Sequence, residues 1–158
     1  MRKFLLIVGV FCLLVGCSPE KEYYMSMTGD SDNWRIENYQ IEITSDSFKA
    51  GNGKLFMKGT DEYKTDSFSI EAHAIMNNED KVISQFSSSA YTGDGMNIAG
   101  KQDTGAIDSG AYLNEDGDPI TLDDINNVYV MVEWWDQDKE KDMEERIDLY
   151  DAADRIGE

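Results

Sequence analysis

"VYVMVEWWDQDKEKDMEERIDL", residues 128–149, is the stretch on which the fold is read. Val128, Val130, Val132 and Trp134 alternate with Tyr129, Met131, Glu133 and Trp135, and a period of two is that of a strand with one face in a core. The polar run from Asp136 to Asp142 then turns the chain back toward Ile147 and Leu149, which repeat the same spacing. The stretch is therefore a β-hairpin that presents its valines and Trp134 to a core.

Outward from this hairpin the same period recurs. Residues 22–27 read as a first strand and residues 34–43 as a second. Trp34 and Ile36 share one face of the second strand, whereas Tyr39, Ile41 and Ile43 share the other, so a β-bulge is expected at Asn38 and Tyr39. Residues 45–53 read as a turn, and residues 54–58 as a strand with Leu55 and Met57 on one side. Phe68, Ile70, Ala72 and Ala74 alternate with Ser67, Ser69, Glu71 and His73 up to the turn "NNED", and a further strand covers residues 81–91. The glycine-rich stretch from Tyr91 to Tyr112 reads as short strands or an irregular crossing. No long stretch keeps a helical period. The expected fold is all-β, an antiparallel β-sandwich of the immunoglobulin-like class, with a partly closed β-barrel as the alternative.

The start of the chain has a different character. Met1, Arg2 and Lys3 form a basic start, Phe4 to Val15 an apolar run too short for a comfortable membrane span, and Leu14-Val15-Gly16-Cys17 resembles the bacterial lipobox. The resemblance implies that residues 1–16 are a lipoprotein signal peptide and that Cys17 becomes a lipidated first residue. Residues 17–22 are then the lipidated cysteine and its tether, residues 23–150 the β-sandwich domain, and residues 151–158 an acidic tail. Cys12 leaves with the signal, so no disulfide is expected and the fold rests on packing. Removing Arg2 and Lys3 also leaves 12 basic residues against 32 acidic ones, a net charge of −20 in place of −18. Such a chain repels nucleic acid, and no basic stripe reverses that.

Two segments carry a family resemblance. "MTGDSDNW", residues 27–34, resembles the "SGESENW" segment that opens the mature domain of many small lipoproteins of Bacillus and related Firmicutes. The hairpin at 128–149 resembles their closing hairpin, with Glu145, Ile147 and Leu149 at the Glu-x-Ile-x-Leu places. Asp30 and Asp32 stand where those proteins tend to have glutamates, and Trp135 with a longer charged turn replaces a tighter turn. The resemblance covers the two ends of the domain. It implies an extracytoplasmic location, anchored by lipid to the cell membrane of a Gram-positive envelope, and no particular activity.

Within the domain, Asp30, Asp32, Asn33 and Trp34 set side-chain oxygens beside an aromatic ring, a combination suited to a sugar or a choline-like ligand. The competing reading is that Asp and Asn satisfy turn amides while Trp34 plugs the core. Trp135, opposite in phase to Trp134, is a further candidate for an interaction surface. Asn114, Asp116 and Asp118 have the one-three-five spacing of a calcium loop, but Pro119 stands where such a loop has glycine and no closing glutamate follows, so a turn at Asp116-Gly117 competes. Catalysis finds less support: His73 is the sole histidine, and there is no Walker loop, dinucleotide fingerprint or HExxH helix. The expectation is a non-enzymatic, lipid-anchored binding domain without a cofactor, calcium apart, whose partner is an envelope protein or glycan. The alternative is an envelope hydrolase acting on glycan or peptide through paired carboxylates.

Overall fold

The computed structural model describes residues 22–91 and 93–151. Twelve strands run through them: β1 (Tyr23–Asp30), β2 (Trp34–Ile43), β3 (Ser47–Gly51), β4 (Lys54–Met57), β5 (Lys64–Thr65), β6 (Ser67–Met76), β7 (Glu79–Ser89), β8 (Met96–Asn97), β9 (Gln102–Asp103), β10 (Ala106–Gly110), β11 (Ile125–Asp136) and β12 (Lys141–Asp151). The described helical structure is one 3-10 turn, Leu122–Asp124. All the pairings are antiparallel, and the hydrogen-bonded order is β10-β3-β2-β1-β12-β11-β6-β7, with β4 and β9 branching from β2.

The chain is therefore all-β and antiparallel, and the layers of the expected sandwich are halves of one sheet. That sheet curls until β7 approaches β10, which makes a partly closed barrel. At the closure, a Cβ on Gly105 would lie 3.6 Å from both the Gln85 carbonyl oxygen and the Phe86 Cβ. Through the interior, the Tyr39 hydroxyl of β2 meets the Ser84 hydroxyl of β7 at 2.8 Å. Burial pushes the Tyr39 phenol up to about 12, against the opposing effect of the Ser84 hydrogen bond. It stays neutral inside the barrel.

The hairpin read from residues 128–149 forms in the expected phase, from Val128 opposite Leu149 to Asp136 opposite Lys141. Val128, Val130, Val132, Trp134, Ile147 and Leu149 are buried. The bulge in β2 is present as well. Met27 pairs with Tyr39 but Gly29 with Ile36, so one residue of β1 faces both Glu37 and Asn38, and Asn38 takes a positive φ of 55°. The Thr28 hydroxyl donates to the Ile36 carbonyl at 2.6 Å beside it. The bulge is also where β2 changes partner: residues 34–37 pair with β4 and residues 40–43 with β3.

Two segments differ from expectation. Residues 45–53, expected as a turn, hold β3, with Phe48 and Ala50 buried. Only two apolar residues mark that strand, and it exists because β2 and β10 pair with it on either side. The crossing from 91 to 112 contains β8, β9 and β10, each set by a partner and not by its own pattern. β1 also continues through Asp30, beyond the expected Met27.

Aromatic rings fill one end of the core. Trp34 is fully buried, with its ring centroid 5.7 Å from Phe68 and 5.5 Å from Trp134, the last in an edge-on arrangement at 73°. At the other end Phe48 meets Tyr112 at 4.9 Å, and Ile120 is buried. Truncating a buried tryptophan costs about 3 to 5 kcal/mol. Trp34→Ala is expected to lose stability on that scale in urea denaturation, and the half-buried Trp135→Ala markedly less. Equal midpoints for wild type and Trp34→Ala would remove Trp34 from the core.

Candidate functional site

The residues of "TGDSDNW" close a hairpin instead of opening a pocket. Asp30 lies 3.3 Å from the Lys58 ammonium and 3.8 Å from the Arg35 guanidinium. Asn33 donates its backbone N–H to Glu145 Oε1 at 2.8 Å and its side-chain amide to Oε2 at 2.7 Å. Trp34, with no exposed surface, offers no wall to a ligand. Asp32 is exposed on the turn. The two segments that carried the family resemblance are thus held together, 112 residues apart in sequence. Burial works against the Glu145 carboxylate, but hydrogen bonds from Ser31 and Asn33 hold its pKa below the usual glutamate range.

The stretch 114–118 is also a closed turn. The Asn114 side-chain oxygen accepts from the backbone N–H of Asp116 and of Asp118, both at 3.0 Å, and Leu113 bridges to Pro119 beyond it. That oxygen satisfies the turn. Among the described residues no group of three or more His, Cys, Asp or Glu side chains is placed to hold a metal ion.

The outer face of β7, β6, β11 and β12 is different. Its rows are fixed by register, and toward the β6–β7 turn they bring together Val82, His73, Tyr129 and Asp148, then Gln85, Glu71, Met131 and Arg146. Here the acids have partners. The His73 ring stacks on Tyr129 at 4.7 Å, and the Arg146 guanidinium lies 3.6 Å from the Tyr129 ring centre while donating to Asp148 at 2.7 Å. Asp80 accepts from the Tyr129 hydroxyl and meets His73 Nδ1 at 3.0 Å. The Tyr129 hydrogen bond, with a smaller contribution from His73, lowers the Asp80 carboxyl below its usual range despite desolvation. Gln85 donates to Glu71 at 2.6 Å.

Farther along the same strands the described ion pairs stop. Ser87, Ser69, Glu133 and Glu144 form the next row, and Ser89, Ser67 and Asp142 flank it in a groove of about 470 Å³. Glu133 and Glu144 are directly opposite each other, an arrangement of like charges that weakens a sheet. Glu133 accepts from the Ser69 hydroxyl at 3.3 Å, so its carboxylate leans over β6. Among the described ion pairs none involves Glu133, Glu144 or Asp142. Trp135 stands half-buried on this outer face by alternation with Trp134. Sequence reasoning named Trp135 alone from this region. The alternation of Ser67 and Ser69 with Phe68 and Ile70 already put the serines outside, but the meeting of the glutamates required the register.

No family model, no curated protein and no solved structure matches the chain. The chemistry of the groove therefore carries the functional reading.

The Glu145 clamp has a pH signature. A carboxylate whose folded pKa is lowered stabilises the fold fully above its unfolded value and loses that contribution as pH falls through the folded one. Glu145→Ala is expected to cost about 1.5 to 3 kcal/mol at neutral pH, the scale of hydrogen bonds to a charged group. The gap to wild type should close as pH drops below the ordinary glutamate range. A gap in the urea midpoint that stays constant down to strongly acidic pH would show that the charge of Glu145 is not what clamps the turn.

Proposed function

We propose that the chain is a lipid-anchored, non-catalytic binding domain of the bacterial cell envelope, held at the outer face of the cytoplasmic membrane through Cys17, with its ligand in the serine-floored groove. The anchor part rests on Leu14-Val15-Gly16-Cys17, which lies outside the described residues. A diacylglycerol supplies the two chains that stable anchoring needs. β1 begins at Tyr23, and six tether residues reach at most roughly 20 Å, so the domain works close to the membrane surface.

The observation that carries the binding part is the facing pair Glu133 and Glu144, unneutralised beside an open floor of hydroxyls. A ligand with a positive charge removes the repulsion, and serines that both donate and accept suit a polar one. An envelope protein or an amine-bearing glycan has that chemistry. The hydrolase alternative draws less support from the same pair. A glycosidase places its acids on either side of the scissile bond, about 5 to 9.5 Å apart, whereas these two are cross-strand neighbours on a single surface.

In cells given a radiolabelled fatty acid, wild type should carry label and Cys17→Ala should not; equal labelling removes the anchor. Purified Cys17→Ala protein, free of lipid, should be retained on isolated envelopes. Changing both Glu133→Gln and Glu144→Gln should weaken that retention about tenfold, equivalent to about 1.4 kcal/mol. Unchanged retention would move the ligand away from the groove.

A further inference from the structure

β7 ends the sheet, and half of it is left open. No described strand pairs with the outer side of β7; Gly105 covers it at Gln85 and Phe86, and the half beyond Phe86 has no such neighbour among the described residues. The direction of the backbone groups there follows from one bond: the Ala90 N–H donates to the Asp66 carbonyl at 2.9 Å, toward β6. Successive residues of a strand point their N–H and C=O to opposite sides, so those of Ser88 and Phe86 also face β6. Those of Ser87 and Ser89 face outward. No backbone hydrogen bond among the described residues outside the β6 pairing uses them.

Edges of this kind are usually guarded by lysine, proline or a bulge. From Phe86 to Tyr91 there is no charge and no proline, and the β7 bulge lies earlier, at Ile83 and Ser84. Tyr91 is fully exposed at the end of the run. A groove of about 430 Å³ follows Ser87–Tyr91, and Ser87, Ser88 and Ser89 line both this groove and the acidic one. The free edge and the acidic groove are one continuous surface.

We propose that an extended segment of another polypeptide, bearing Lys or Arg at alternating positions, adds to β7 along Ser87–Tyr91 as a further strand of the sheet. The proposal deepens the binding-domain reading and rests on it. Main-chain bonds to Ser87 and Ser89 give such a segment its register, and every second side chain lies over the serine floor. The reach fits. From the added strand to β6 is two inter-strand spacings, roughly 10 Å. A lysine side chain covers roughly 6 Å and its hydrogen bond about 2.8 Å more. Glu133 meets it, since its carboxylate already leans to Ser69 on β6. Charge decides the occupant: a second copy of this chain, at −18, would bring neutral serines to the seam and more acid around it.

The test uses the full chain in detergent micelles and a fluorescent synthetic peptide of alternating lysine and threonine. Fluorescence anisotropy at about 0.15 M salt should give a saturable one-to-one isotherm. A glutamate-threonine peptide should not bind. Ser87→Pro and Ser89→Pro remove outward donors without touching the β6 ladder, and each should weaken binding at least tenfold with an unchanged melting temperature. As a check independent of protein folding, methylating alternate backbone amides of the peptide should abolish binding in one register and spare it in the other. If the lysine peptide binds and only Glu133→Gln with Glu144→Gln weakens it, strand addition is overturned while the groove reading stands. If the peptide fails to bind although the protein is still retained on envelopes through Glu133 and Glu144, the partner chemistry is overturned alone. A dimer in sedimentation that Ser89→Pro dissolves would give the edge to a second copy and also overturn the proposal.

Discussion

The fold turns on the seam between β1 and β12. On one side lie β10, β3, β2 and β1, on the other β12, β11, β6 and β7. Among the described residues only two pairs join them in register, Met27 with Asp151 and Thr28 with Tyr150. The chain makes up for that short ladder by close approach. A Cβ on Gly29 would stand 2.6 Å from the Asp148 carbonyl oxygen and under 3 Å from both Leu149 and Ile147. Only glycine lets the two backbones come so near. Just past it, Glu145 takes both Asn33 donors, and Trp34 enters the core against Trp134. Backbone contact, charge-assisted hydrogen bonds and aromatic packing meet within six residues of β1 and β2, and they fix how the two halves face.

Once the seam is set, two bulges decide what the barrel shows to solvent. The bulge at Asn38 switches the phase of β2, so that Trp34 and Ile36 before it and Tyr39, Ile41 and Ile43 after it are all buried. The bulge in β7 works in the other direction. Ile83 and Ser84 are consecutive and both buried, which shifts the phase by one residue and leaves Gln85, Ser87 and Ser89 outward. Ser84 then meets Tyr39 and closes the barrel from within, while the serines beyond it become surface. Closure and the open edge share one cause, since the strand half that reaches β10 cannot also extend past it.

Much of this was legible wherever a strand carries its own alternation. β2, β6, β11 and β12 each have enough apolar residues at a period of two to declare a face, and the phase change in β2 announced its bulge. β3 has only Phe48 and Ala50, and its existence depends on two neighbours far away in sequence. The groove was hidden for the same reason: Glu133 and Glu144 are eleven positions apart across a turn whose length had to be known before their meeting could be seen. In "TGDSDNW" the residue types suit a ligand and a turn equally, and the partner that decides between them, Glu145, lies at the other end of the chain.

The outer face of β6, β7, β11 and β12 bears on function because its two halves share strands, pleat and twist and differ only in side chains. In one half every acid has a counterpart: Asp80 has Tyr129 and His73, Asp148 has Arg146, and Glu71 has Gln85. In the other, Glu133 has the Ser69 hydroxyl alone, no described ion pair reaches Glu133, Glu144 or Asp142, and Glu133 and Glu144 face each other. General acidity explains a negative surface but not this division, because the same chain supplied counterparts a few residues away. A sheet that pairs its charges up to one row and leaves the next without an ion pair beside an unguarded edge is the physical ground on which the proposed binding surface rests.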